Sequence, residues 1–155
     1  MKDNAVTHPE PVWRDRANFI IAAQIPESTE TGPEMEQLWA RQIQDSLFEI
    51  CCIPFFLYNV ALGDKVLVKR NHDYVMKSVV EPSGRFVFRV WLTETGNREQ
   101  VVERLTSLGC LIESRGPSSK LLAVDAESDE TAKACANSLQ ELENSGELQY
   151  ETGRL

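Results

Sequence analysis

Residues 85–109 read RFVFRVWLTETGNREQVVERLTSLG, and the fold turns on this stretch. Phe86, Phe88 and Val90 share one face of an extended chain, while Val87, Arg89 and Trp91 share the other. That two-residue period predicts a strand over 85–92. The period then changes. Asn97 can cap a helix, with Gln100 three residues on, and Val101, Val102, Leu105 and Leu108 follow at helical spacing until Gly109 stops them. Downstream, 110–113 and 120–125 read as two strands joined through Gly116-Pro117. Ser128 can cap a second helix whose inner stripe is Ala132, Cys135, Ala136, Leu139 and Leu142. Gly146 breaks that helix, and 147–152 can form a last strand. The order β-α-β-β-α-β predicts a ferredoxin-like arrangement, with both helices on one face of an antiparallel sheet.

Upstream the pattern is different. Short apolar segments at 18–25, 37–42 and 48–53 precede a turn at Leu62-Gly63-Asp64. A short helix is an alternative for the second of them. Val66 and Val68 then alternate with Lys65, Leu67 and Lys69, Asn71-His72-Asp73 supplies a hairpin turn, and 74–80 runs back to a turn at Pro82-Ser83-Gly84. Strands joined by turns, before any convincing helix, predict a small curled sheet or barrel. The chain therefore reads as α+β. Residues 1–12 are expected to be a disordered tail, 13–83 a β-rich, barrel-like half, and 84–155 the ferredoxin-like half, the two halves sharing one core.

Bulk properties narrow the function. With 155 residues the chain needs no disulfide or metal staple. A formal net charge of −8 argues against nucleic acid and against anionic membranes as partners. No apolar run could span a bilayer and no secretory signal is visible, so a cytoplasmic protein is expected. The cysteines, Cys51, Cys52, Cys110 and Cys135, lack metal-ligand spacing and are expected to be reduced and buried, without metal or other cofactor. Catalytic candidates are few. His72, taken as the one histidine of the folded region, lies in a turn where solvation explains it. Neither a Walker loop nor a dinucleotide fingerprint occurs. Phe86, Phe88 and Trp91 could suggest a base-stacking platform, but the helices should cover the first two and the charge has the wrong sign.

Charge placement says more. Between Asp125 and Glu151 lie eight carboxylates against Lys133 alone. A solvated helix face accounts for such a run; a steering surface for a basic partner is the functional alternative. The candidate partner-binding residues are Asp129, Glu130, Glu141 and Glu143, with the acidic loop residues Glu30, Glu34 and Glu36 as the competing surface. If instead the chain is a small enzyme or ligand-binding domain with a cleft between its halves, Asp64, Arg85 and Arg89 are the candidates.

Ile53-Pro54-Phe55-Phe56, Leu62-Gly63-Asp64 and Val66-Leu67-Val68 form one further pattern, with Leu38-Trp39-Ala40, Ser83-Gly84-Arg85 and Arg89 around it. In these residues, and in LTSLGCLIE and 121–125, the chain resembles an uncharacterised bacterial family of the domain-of-unknown-function series. The resemblance spans residues 13–151. It implies no activity and carries over no catalytic residue. By analogy of size and charge it suggests the small acidic cytoplasmic antidotes that bacteria hold against toxins. The expectation is thus a non-enzymatic protein-binding module, most concretely an immunity protein that occludes a basic toxin domain. Neither the partner nor the oligomeric state can be read from the residues.

Overall fold

The computed structural model describes residues 5–26 and 34–154. Among them are ten strands and two α-helices, in two sheets. The first sheet holds β1 (Ala5–Val6), β2 (Phe19–Gln24), β3 (Met35–Gln44), β4 (Leu47–Ile50), β5 (Lys65–Lys69) and β6 (Val75–Glu81). Its order is β1-β3-β2-β6-β5-β4, and β4 also pairs with β3, so five strands close into a ring. β3 makes this possible by length. Its first residues pair with β1, and Ala40 to Gln44 pair with β4. The ring is thinnest between β2 and β6, which meet in parallel at Ala22 and Val75. Inward-facing Ile21, Ala23, Leu38, Ala40, Phe48, Ile50, Val66 and Val68 fill it. The curled sheet expected from the sequence is therefore a small closed barrel, and the 37–42 segment is strand throughout.

The second sheet is formed by β7 (Phe86–Leu92), β8 (Leu111–Ser114), β9 (Leu121–Ala126) and β10 (Leu148–Thr152), in the order β10-β7-β9-β8 and antiparallel throughout. α1 (Arg98–Ser107) follows β7 and α2 (Asp129–Asn144) follows β9, as the ferredoxin-like order requires. Both caps form as the sequence indicates. The Asn97 side chain accepts from the Gln100 amide, and Ser128 accepts from the Thr131 amide. Val101 and Leu105 of α1, and Ala132, Cys135, Leu139 and Leu142 of α2, pack on Phe88, Val90, Leu122 and Val124. The opposite face of the sheet, with Val87, Leu121 and Ala123, belongs to the barrel's apolar cluster. The sheet thus lies between the helices and the barrel.

The boundaries of two segments differ from expectation. Residues 5–12 are ordered, not a disordered tail: β1 joins the barrel and His8 is buried, at 2% exposure. The strand expected over 48–53 stops at Ile50. Beyond it the amides of Ile53, Phe55 and Phe56 donate to carboxylates of other elements, so side chains replace the ladder.

Candidate functional site

The largest concentration of buried charge lies where barrel and sheet meet. Glu36 sits on β3 with the inward parity of Leu38 and Ala40, and is fully buried. Glu113 sits on β8, on the face turned to the barrel. Between them stands His8, just beyond β1. Its Nδ1 lies 2.7 Å from Glu113 Oε1, and its Nε2 lies 2.7 Å from Glu36 Oε2. The ring stacks on Phe55 at 4.5 Å. Backbone amides complete the carboxylates: Val12 and Ile53 donate to Glu113, and Phe55 and Phe56 donate to Glu36. Burial alone would favour the neutral ring, but Cys52, Glu113 and Glu36 outweigh it and raise the pKa of His8 to about 12. At neutral pH this is an imidazolium clamped by two carboxylates. Four segments converge on it: the N-terminal strap, β3, the 51–56 connection and β8.

Cys52, His8 and a glutamate together have the composition of a nucleophile, a base and a group that orients it. The arrangement is sealed. Cys52 is 0% exposed, and burial pushes its thiol pKa up against the opposing pull of His8. Cys51, Cys110 and Cys135 are buried as well, as the sequence suggests.

The cleft candidates do not converge. Asp64 accepts from the amides of Ala61 and Ser83, fixing the turn that Gly63 makes with a φ of 84°. Arg85 forms a two-pronged pair with Asp125, at 3.0 and 2.7 Å, and lies over the Trp13 ring. Arg89 is buried at the seam, donates to the Leu57 carbonyl, and stands over Tyr58 with Glu151 3.7 Å away. The hollow beside Arg85 measures about 10 Å³, room for one water at most.

The acidic candidates divide. Asp129 and Glu130 are exposed in the first turn of α2, where the helix dipole favours them. Glu141 pairs with Arg104 of α1, and Glu143 is half-buried, accepting from the Tyr150 amide. Glu34 is exposed, but Glu36 is no surface residue at all, because its place on β3 turns it inward to His8. Glu30 and the side chain of His72 lie outside the described residues.

The sequence did not point to a groove of about 660 Å³ beside β8. α1 supplies one wall, with Arg98, Glu99, Val102, Glu103 and Thr106. Leu111, Ile112 and Glu113 of β8 line its floor, and Glu10 and Val12 of the N-terminal strap form the far wall. Glu10, Glu99 and Glu103 are exposed at its mouth. Arg98, the basic residue among those lining it, is tied to the Ser119 carbonyl and to Ser114 Oγ. The signal that could have found it is the apolar Val12 and Ile112 flanked by Glu10 and Glu113, but that pattern is common.

Comparison with known proteins agrees with the architecture. Residues 36–150 match the family model described as a domain of unknown function (DUF4265). No curated protein matches the chain. Among solved structures, a hypothetical protein from Neisseria gonorrhoeae is similar, with a TM-score of 0.71 at 18% identity, over 86% of this chain and 94% of that one. At that identity the likeness is one of fold.

Proposed function

From the premise that the chain belongs to this family of unknown function, we propose a non-enzymatic binding module that captures a basic protein, most concretely an immunity protein that holds a toxin domain inactive in the cytoplasm. The observation that carries this reading is the exposed helical layer. Glu99 and Glu103 on α1, and Asp129, Glu130 and Glu141 on α2, all face solvent, and the large groove opens at its edge. Arg104, paired with Glu141, and Lys133 offset part of this charge, and the acidic excess that remains accelerates encounter with a positive partner and discriminates against acidic ones. A toxin that acts on nucleic acid or a nucleotide needs a positive active site, which carboxylates can occupy in place of phosphates. Asp64, Arg85 and Arg89 serve as structural ties, which supports binding over catalysis.

The test is to place a photo-crosslinking amino acid at Glu103, and separately at Glu130, in the chain expressed in its own cells. The captured protein is then purified and mixed with the chain in stopped flow across a salt series. A basic partner that loses activity on binding, with association slowing as salt rises, is the expected result. An acidic partner, or an association rate indifferent to salt, overturns the reading.

A further inference from the structure

We propose that the groove seats an extended, lysine- or arginine-bearing segment of the partner, which adds a strand to the free edge of β8. This rests on the binding reading above and names the chemistry of what is bound. Three independent observations lead to it. First, β8 ends its sheet: among the described residues the order β10-β7-β9-β8 gives it β9 on one side and no strand on the other. An edge of this kind presents backbone donors and acceptors to any extended chain alongside it. Second, the groove lies along that edge and has an apolar surface on both sides of it. Ile112 belongs to the helix-facing cluster with Val102, and Leu111 and Val12 each pack against the barrel-side cluster. A strand docked there sends alternate side chains to these two surfaces. Third, the mouth is acidic. Glu99 and Glu103 stand on the helix side and Glu10 on the strap side, while Arg98 is held by Ser114 and Ser119. Charge complementarity therefore selects a cationic segment.

The floor is also rigid. Glu113, at the centre of β8, is fixed by His8 and by the amides of Val12 and Ile53. The strap wall is held by the same contacts, so the seat is formed before a ligand arrives, which lowers the ordering cost of binding. β-addition to a preformed edge needs few side-chain pockets, and a volume of about 660 Å³ falls in the range of ordinary ligand sites.

The experiment uses the isotope-labelled full chain, titrated at low salt with an alternating lysine–valine hexapeptide and with its glutamate–valine counterpart. The lysine peptide is expected to shift the amide signals of Leu111–Ser114 and Val12, to slow hydrogen exchange in β8, and to bind roughly tenfold more tightly than the glutamate peptide. The double variant Glu99→Gln, Glu103→Gln should lose several-fold in affinity. Thr106→Trp, which fills the groove from an exposed helix position, should abolish β8 shifts while leaving the circular dichroism spectrum unchanged. Shifts confined to the Asp129–Glu130 end of α2, with β8 silent, overturn the seat but leave the acidic binding surface standing. Equal binding of both peptides, or of neither, counts against both. A concentration-dependent dimer that protects β8 assigns the edge to a second copy and overturns the partner segment.

Discussion

At the position of His8 a single side chain joins parts of the chain far apart in sequence, bridging Glu36 and Glu113 with two contacts of 2.7 Å. Its removal strands two carboxylates that are closed off from bulk solvent. Breaking a buried ionic network by deleting one partner costs about 3–5 kcal/mol. We expect His8→Gln to lose stability on that scale in urea melts, and a wild-type midpoint in the variant would show the network to be dispensable. The pH dependence has a definite sign. The folded pKa of His8 lies above its unfolded value, rising from 6.5 to about 12. Its contribution is therefore complete below 6.5 and fades as pH climbs toward 12. The stability gap between wild type and His8→Gln should be widest in mild acid and narrow in alkali; a gap that widened in alkali would contradict the assignment. The residues themselves hinted at this. Val6 and His8 share one parity, as do Glu36, Leu38 and Ala40, and both sets are buried. What composition could not convey is that the two parities meet. A histidine and a glutamate inside two polar stretches look solvated until the fold brings them together.

Elements, by contrast, were largely legible, because each carries its own signal. The Asn97 and Ser128 caps, the inner stripe of α2 and the alternation of β7 specified the C-terminal half from local chemistry. Leu105 and Leu139 are fully buried at the centre of the helix–sheet layer. Replacing either by Ala should cost about 2–5 kcal/mol, read from circular dichroism melts, and unchanged melting in both would reject the packing. Gly96 offers a second test of the connection between β7 and α1. A methyl group there would stand 2.2 Å from the Glu147 carbonyl, which also accepts from the Thr93 amide. Gly96→Ala must push apart the loop before α1 and the turn between α2 and β10, so it should destabilise the protein by about 1–3 kcal/mol despite its loop position. A neutral result would mean that the loop yields without cost. The strand that ended early, β4, was illegible for a physical reason: CCIP looks as apolar as a strand, but the Ile53 amide goes to Glu113, Pro54 has none to give, and the Phe55 and Phe56 amides that follow go to Glu36.

Across the whole molecule the seam between barrel and sheet carries two kinds of buried charge, and they should behave differently. The His8 cluster is satisfied at both ring nitrogens and by four backbone amides. Arg89, on the same face of the sheet, donates to the Leu57 carbonyl, yet its Nε and Nη1 have no hydrogen-bond partner among the described residues. Glu151, 3.7 Å away, has a side chain 37% exposed, so water can serve it when the arginine is gone. An apolar side chain of similar length keeps the stacking on Tyr58 and removes the desolvation of a charge held by few bonds. Only the Leu57 carbonyl then lacks a donor, a loss of about 1–2 kcal/mol. We therefore expect Arg89→Met to cost clearly less than His8→Gln, although Arg89 is the larger and the equally buried side chain. Deleting residues 1–8, which removes β1 and His8 together, should match or exceed the His8→Gln loss, since β1 leaves the barrel with it. Parallel urea titrations of the three variants decide this. Arg89→Met as costly as His8→Gln would mean that burial of charge at the seam, and not the number of hydrogen bonds it makes, sets the stability of the joined halves.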